Sequence, residues 1–280
     1  MSPSIRSLVW ATDIDVLARD HEVYRRPDHW AIHSPGNPTF WWGNFLLFDG
    51  APAQGDADAW EQIFEAEFAD RPEVTHKTFA WDLVDGSVGE AKAELVSRGY
   101  KLEPTCGLIA TPEQIKPHAR ASAVAEILAL DPSPGHDAEL WEQVLAVQFA
   151  AAPSEHHDDY HREFLRARQR GLRDRFSAGD GAWHVALIDG AVVGSLGVVV
   201  TEGRARYQTV DTVEAYRGRG VATRLVFEAA QHALSHHPIN QFVMAADPDY
   251  HAIGIYESLG FTRAERVCGV TLPPPGKAGF

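Results

Sequence analysis

A chain of 280 residues with 25 Lys and Arg against 39 Asp and Glu has a formal net charge of −14, which disfavours nucleic acid and anionic membrane as partners. Apolar residues make up 45% of it and include eight tryptophans, enough for two packed cores. The longest apolar runs, such as Val192 to Val200, are short, and no basic segment leads into an apolar one at the start, so neither a membrane span nor a signal peptide is expected.

From the N-terminus, Phe40 to Asp49 is expected as a strand and Asp58 to Phe68 as a helix with Trp60, Ile63, Phe64 and Phe68 on one face. Val74 to Leu83 reads as a strand, Gly89 to Ser97 as a helix ending at Gly99-Tyr100, and Lys101 to Thr111 as another strand. Pro112 and Pro117 flank a polar stretch that marks a domain boundary, placed between residues 116 and 117. Beyond it, Trp183 to Ile188 and Val192 to Val200 flank Asp189-Gly190, a hairpin signal.

Next, Tyr207, Val210, Thr212 and Val213 supply strand formers, and Val221, Leu225, Val226 and Ala229 recur at helical spacing. Between them lies Arg217-Gly218-Arg219-Gly220, a basic turn at a helix N-terminus. Its glycines let the backbone approach an anion closely, and its arginines add full charge to the partial charge of the helix end. Taken alone, such a turn is as readily a solubility feature as a site. The chain has neither G-x-x-x-x-G-K-[ST] nor G-x-G-x-x-G at this turn, which sets aside the simplest ATPase and dehydrogenase readings. Gln241 to Ala246 then reads as a buried strand, and Asp249 to Phe261 as a short helix closed by Gly260.

The strand, the R-x-x-G-x-A turn of Arg217, Gly220 and Ala222, the helix, and a later pattern on Asp249, Ala252, Tyr256, Gly260 and Phe261 together resemble the GCN5-related N-acetyltransferase (GNAT) superfamily. Asp249 stands where that family usually has Asn. The resemblance covers Ala121 to the C-terminus, and implies a first strand from Ala123 to Leu130, helices from Asp137 to Ala151 and Asp158 to Phe176, and a last strand from Arg263 to Leu272. The N-terminal half repeats the ending: Arg98-Gly99-Tyr100 before Thr105-Cys106-Gly107-Leu108 mirrors Leu259-Gly260-Phe261 before Val267-Cys268-Gly269-Val270. The expected fold class is therefore α/β (α+β), with two GNAT-like domains at residues 1–116 and 117–280. Each is expected to be a mixed, mostly antiparallel sheet with flanking helices, the second with a splayed parallel strand pair. The N-terminal counterpart of the basic turn, Gly50 to Ala57, has no arginine and carries Asp56, which repels an anion. The first domain is thus read as a degenerate, non-catalytic copy, with an unrelated α+β domain as the other reading.

The resemblance implies an N-acetyltransferase that passes the acetyl group of its co-substrate acetyl-CoA directly to a primary amine of a small molecule or peptide, with no metal. The strand edge at Val210, Thr212 and Val213 corresponds to the family's pantetheine-binding edge, and Arg217, Gly218, Arg219, Gly220, Val221, Ala222 and Thr223 to its pyrophosphate site. Tyr256 corresponds to the acid that protonates the departing thiolate. The base stays open among Asp211, Asp247, Glu155 and water; strict strand alternation puts Asp211 opposite Gln208, Val210 and Thr212, away from the cleft. A CoA or acyl-CoA sensor without turnover is the alternative function. Cys106 and Cys268 are expected in separate cores, reduced, in a cytoplasmic protein. The clusters at His156, His157 and His161 and at His232, His236 and His237 read as a solvated helix start and a helix C-terminus rather than metal sites.

Overall fold

The computed structural model describes residues 4–250 and 252–277. Two compact units form: one runs to Gly107 and resumes at Glu265, the other spans Leu108–Ala264. The division is not the single cut at 116/117 expected from the prolines. Two long strands cross it, β5 (Lys101–Ala110) and β11 (Thr262–Leu272), so each unit boundary falls inside a strand.

The first unit contains α1 (Leu8–Asp15), β1 (Glu22–Arg25), β2 (His29–His33), β3 (Phe45–Phe48), α2 (Asp56–Glu67), β4 (Lys77–Trp81) and α3 (Lys92–Ser97). Strands β1, β2 and β3 pair antiparallel in that order, and β3 pairs parallel with β4 through the α2 crossover. Residues 269–272 of β11 add antiparallel to the far side of β4. The strand expected from Phe40 begins only at Phe45, because residues 41–43 form a 3₁₀ turn. Asn44 fixes that turn by accepting from Ser34 N and donating to the carbonyls of Asn37 and Phe40. The aromatic face of α2 packs as its spacing predicts: Trp60 stacks on Phe48 at 3.8 Å, and Phe64 meets Phe79 edge-on. Cys268 joins this same core. Both cysteines are buried thiols outside any disulfide, and both lie in the first unit, since β11 has left the second unit by Glu265. Cys106 is not part of that core, so the expected separate cores hold although both residues fall in one unit.

The second unit contains β6 (Glu126–Ala129), α4 (Ala138–Ala151), α5 (Asp159–Ser177), β7 (Gly181–Ile188), β8 (Ala191–Thr201), β9 (Arg204–Thr212), α6 (Val221–His236), β10 (Gln241–Ala246) and α7 (Ala252–Ser258). Its sheet runs β6, β7, β8, β9 antiparallel, and β9 pairs parallel with β10 through the α6 crossover. Helix α6 lays Leu225, Val226, Ala229 and Ala230 on the sheet, where Tyr207 donates from its phenol to Val226 O at 3.0 Å. On the opposite face, Trp141 of α4 packs against Trp183 of β7. Each unit is thus a mixed, mostly antiparallel sheet with flanking helices. Among the described residues, no helix is long and apolar enough to cross a membrane.

Candidate functional site

The parallel pair in the second unit separates early. Only residues 204–206 of β9 register with 241–243 of β10, and both strands continue beyond that point. A notch lies beyond the point where the ladder stops, bounded by the end of β9, the turn and start of α6, and α7. The cavity there has a volume of about 310 Å³. Ligand crevices in open α/β sheets likewise lie outside the carboxyl ends of diverging strands, here in a mixed sheet.

One wall is the basic turn. Residues 214–216 make a short 3₁₀ turn, Arg217 is extended, and Gly220, at φ 74°, is the N-cap of α6. No other residue suits position 220. A Cβ there would lie 1.7 Å from Arg120 O, and Ser122 N donates to Gly220 O at 3.0 Å, so the preceding segment clamps the turn. Helix α6 has no side-chain cap and no acidic residue in its first turn. Its leading N–H groups, which have no partner within a helix, face the cavity with positive partial charge.

The first unit has the same order of strand, turn, helix and parallel strand, with a different ending. Gly55 also caps its helix in the left-handed region, but Asp56 Oδ2 takes Ala53 N at 2.7 Å and Glu94 Oε2 takes Gly55 N at 3.3 Å. The β3 and β4 ladder also runs to the end of β3, at Phe48 and Trp81.

Of the sequence-expected site residues, Val210, Thr212, Arg217, Gly218, Gly220, Val221, Ala222, Thr223 and Tyr256 line the cavity together. Val213 and Arg219 do not. Val213 N donates to Val193 O at 2.9 Å, which keeps it in the β8 ladder, and the Arg219 guanidinium lies over the Tyr216 ring at 5.1 Å. Arg120 is a lining residue that no motif pointed to, because it comes from the irregular segment before β6.

Asp211 lines the cavity too, against the expectation from strict alternation. The reason is a bulge. Gln208 faces Gly197 and Asp211 faces Ser195, so two residues of β9 oppose one of β8, and Thr209 adopts φ 48°. The extra residue reverses the parity, leaving Gln208 and Asp211 on the same face. Asp211 Oδ2 is closed off from solvent without a hydrogen-bond donor. Burial pushes its carboxyl up to about 7, against the opposing charge of Arg217. Neither Asp247, whose carboxylate accepts from Asp249 N, nor exposed Glu155 lines the cavity.

Tyr256 is held on α7 by the closing turn, where Phe261 N donates to Tyr256 O at 3.1 Å. The ring is buried. Burial first, then the negative charge of Asp211, drives its phenol well above the usual range, with Arg206 opposing. The two groups are thus set for opposite work at neutral pH: the carboxyl able to take a proton, the phenol to keep one.

The histidine clusters stand apart from the cavity. His156 and His161 are buried rather than solvated, with His161 set against Phe149 and Phe164, while His236 ends α6 as expected. Among the described residues, no three His, Cys, Asp or Glu side chains are arranged to hold a metal ion.

The sequence profile described as the Acetyltransferase (GNAT) family matches residues 141–261. Among solved structures, a conserved protein of unknown function from Staphylococcus epidermidis superposes with TM-score 0.73 at 12% identity, covering 91% of this chain and 95% of that one. A GCN5-related N-acetyltransferase from Kribbella flavida gives 0.63 at 15%, covering 98% and 97%. A tandem GNAT protein from the clavulanic acid biosynthesis pathway gives 0.56 at 16%, covering 95% and 89%. At such identities the likeness is one of fold. A search of curated proteins finds no match. The matched segment holds the notch, the α6 turn, Asp211 and Tyr256, and residues 141–261 are accordingly similar to the GNAT acetyltransferase family, whose members transfer acetyl groups from acetyl-CoA.

Proposed function

We propose that this protein acetylates a primary amine of a small molecule or peptide, using acetyl-CoA bound in the notch between β9 and β10. The observation that carries this reading is the convergence, in one cavity, of an uncapped positive helix end with Arg217 beside it and a carboxyl–phenol pair poised for opposite proton transfers. The N–H groups of Val221, Ala222 and Thr223 and the guanidinium of Arg217 hold the pyrophosphate. The unpaired edge of β9 at Val210 and Thr212 holds the pantetheine arm.

Asp211 takes the proton from the attacking amine as its nitrogen bonds to the acetyl carbon. The carbon–sulfur bond breaks, and Tyr256 gives its proton to the departing thiolate. Most of the acceleration comes from holding amine and thioester in line, so neither cysteine is needed as a nucleophile. Two buried thiols outside any disulfide suit a reducing compartment, and we place the reaction in the cytoplasm. The first unit is a non-catalytic companion: carboxylates of the chain itself occupy its turn, so each chain binds one acetyl-CoA.

Calorimetry with acetyl-CoA and CoA, followed by a thiol-release assay over a panel of amines, tests the reading. The expected result is one site per chain, weakened at least tenfold by Arg217→Glu, and turnover with at least one amine class. Binding without turnover on any acceptor favours a CoA sensor. No binding, with Arg217→Glu indistinguishable from wild type, overturns the site itself.

A further inference from the structure

Two buried oxygens on facing strands of the second unit lack partners: Ser195 Oγ on β8 and Asp211 Oδ2 on β9. Ser195 is 0% exposed, and its register partner across the ladder is Asp211. Directly opposed residues in an antiparallel pair have Cβ atoms about 4.5–5.5 Å apart.

The face is fixed by the neighbouring glycine. A Cβ on Gly194 would meet Val221 of α6 at 3.0 Å, so Gly194 faces α6 and Ser195 faces the α4 side. The β9 bulge puts Asp211 on that side with it. A buried hydroxyl lacking an acceptor and a buried carboxylate oxygen lacking a donor are complementary deficits, each costly to leave unmet. A turn about χ1 of Ser195, or one bridging water, meets both.

We propose that the Ser195 hydroxyl is the donor that steadies the ionised carboxylate of Asp211, which makes Ser195 a positioning residue for the acetyl transfer described above and rests on that reading. The other charged or titratable groups around Asp211 act from elsewhere. Arg217 approaches from the turn, and Tyr256 from α7 with Tyr250 beside it. Arg206 lies earlier on β9 and acts on Tyr256, and Arg168 of α5 is bonded to Gln208 Oε1. None of them donates to Oδ2. Replacing Ser195 leaves all of these in place, so a change in how Asp211 titrates belongs to the hydroxyl.

The test compares wild type, Ser195→Ala and Ser195→Thr by two readouts. The first is a ¹³C titration of the Asp211 carboxyl in the full chain without substrate, assigned by its disappearance in Asp211→Asn. The second is the pH profile of kcat/KM. Losing the donor should raise the Asp211 midpoint in Ser195→Ala by about one pH unit, and both the titration and the acid limb of the profile should move together. Ser195→Thr, which keeps the hydroxyl, should stay near wild type. An unmoved midpoint in Ser195→Ala overturns the proposal, as does an equal shift in Ala and Thr, which makes the effect one of packing. A chain that shows the shift by ¹³C and turns over no amine overturns the acetyltransferase reading and leaves the Ser195–Asp211 bond standing.

Discussion

Asp211→Asn is the sharpest perturbation of the proposed chemistry. The amide keeps the shape of the carboxyl and cannot take a proton. With the Asp211 carboxyl near 7, wild type holds about half of its base ionised at neutral pH, and about a tenth one unit lower. Loss of a positioned base costs about 10² to 10⁴-fold in rate, equivalent to about 3–5 kcal/mol at the transition state. The assay is thiol release with one acceptor from the panel, run on both proteins from about pH 5 to pH 9. Dividing wild-type by variant kcat/KM at each pH cancels the ionisation of the acceptor. The ratio should stand at its plateau above pH 8 and fall about tenfold per unit below 7, because ionised Asp211 is what the variant lacks. Acetyl-CoA affinity by calorimetry should hold within a fewfold. A ratio that is flat across pH, or close to one on the alkaline side, refutes the assignment of Asp211 as base.

Tyr256→Phe should lower kcat by about 10-fold or more with little change in acetyl-CoA affinity, and the reverse pattern makes Tyr256 a binding residue. Gly220→Ala should destabilise the chain by about 1–3 kcal/mol more than Gly218→Ala in thermal unfolding. Both positions have positive φ, but only at 220 does a Cβ strike backbone, so equal costs would show the turn to be free of the Arg120 segment. His184 of β7 is buried against His232 of α6 with both ring nitrogens unbonded, and burial lowers its pKa to about 3. The unfolded chain therefore gains a proton first as pH falls below about 6.5, and stability drops from there toward pH 3, by about 2 kcal/mol between pH 7 and pH 5. Urea midpoints at the two pH values should differ less in His184→Leu, and an equal loss in both proteins removes His184 as the cause.

Much of the second unit can be read from residue order because its local signals agree with its packing. Asp189-Gly190 makes the hairpin turn, Val221 to Ala230 carry helical spacing, and Gly260 closes α7. The site was legible where the backbone conformation depends on residue type, as at Gly220. It was not legible where pairing sets the geometry. The bulge at Thr209 comes from the register of β9 against β8, and period-two alternation carried past it turns Asp211 to the wrong face. The same holds for β11: its sequence predicts a strand over the right residues, and nothing in it says that residues 269–272 pair with β4. Arg120 escaped for a third reason. An irregular segment has no period, and the placement of Arg120 beside Gly220 is a tertiary contact that the local sequence does not signal.

The contrast between the two strand–turn–helix–strand passages supports the proposal that only the second carries the chemistry. The binding proposed at the second-unit turn rests on three things at once: a ladder that stops short, N–H groups left open, and local positive charge. The first-unit passage differs in all three. Its parallel ladder runs to the strand end, two carboxylates take the N–H groups of Ala53 and Gly55, and the first turn of α2 bears Asp56 and Asp58. These differences reinforce one another. Removing Asp56 alone frees a donor but leaves no notch for the pantetheine arm, and opening the ladder alone leaves an acidic helix start that repels pyrophosphate. No single substitution in the first unit is therefore expected to create a second acetyl-CoA site.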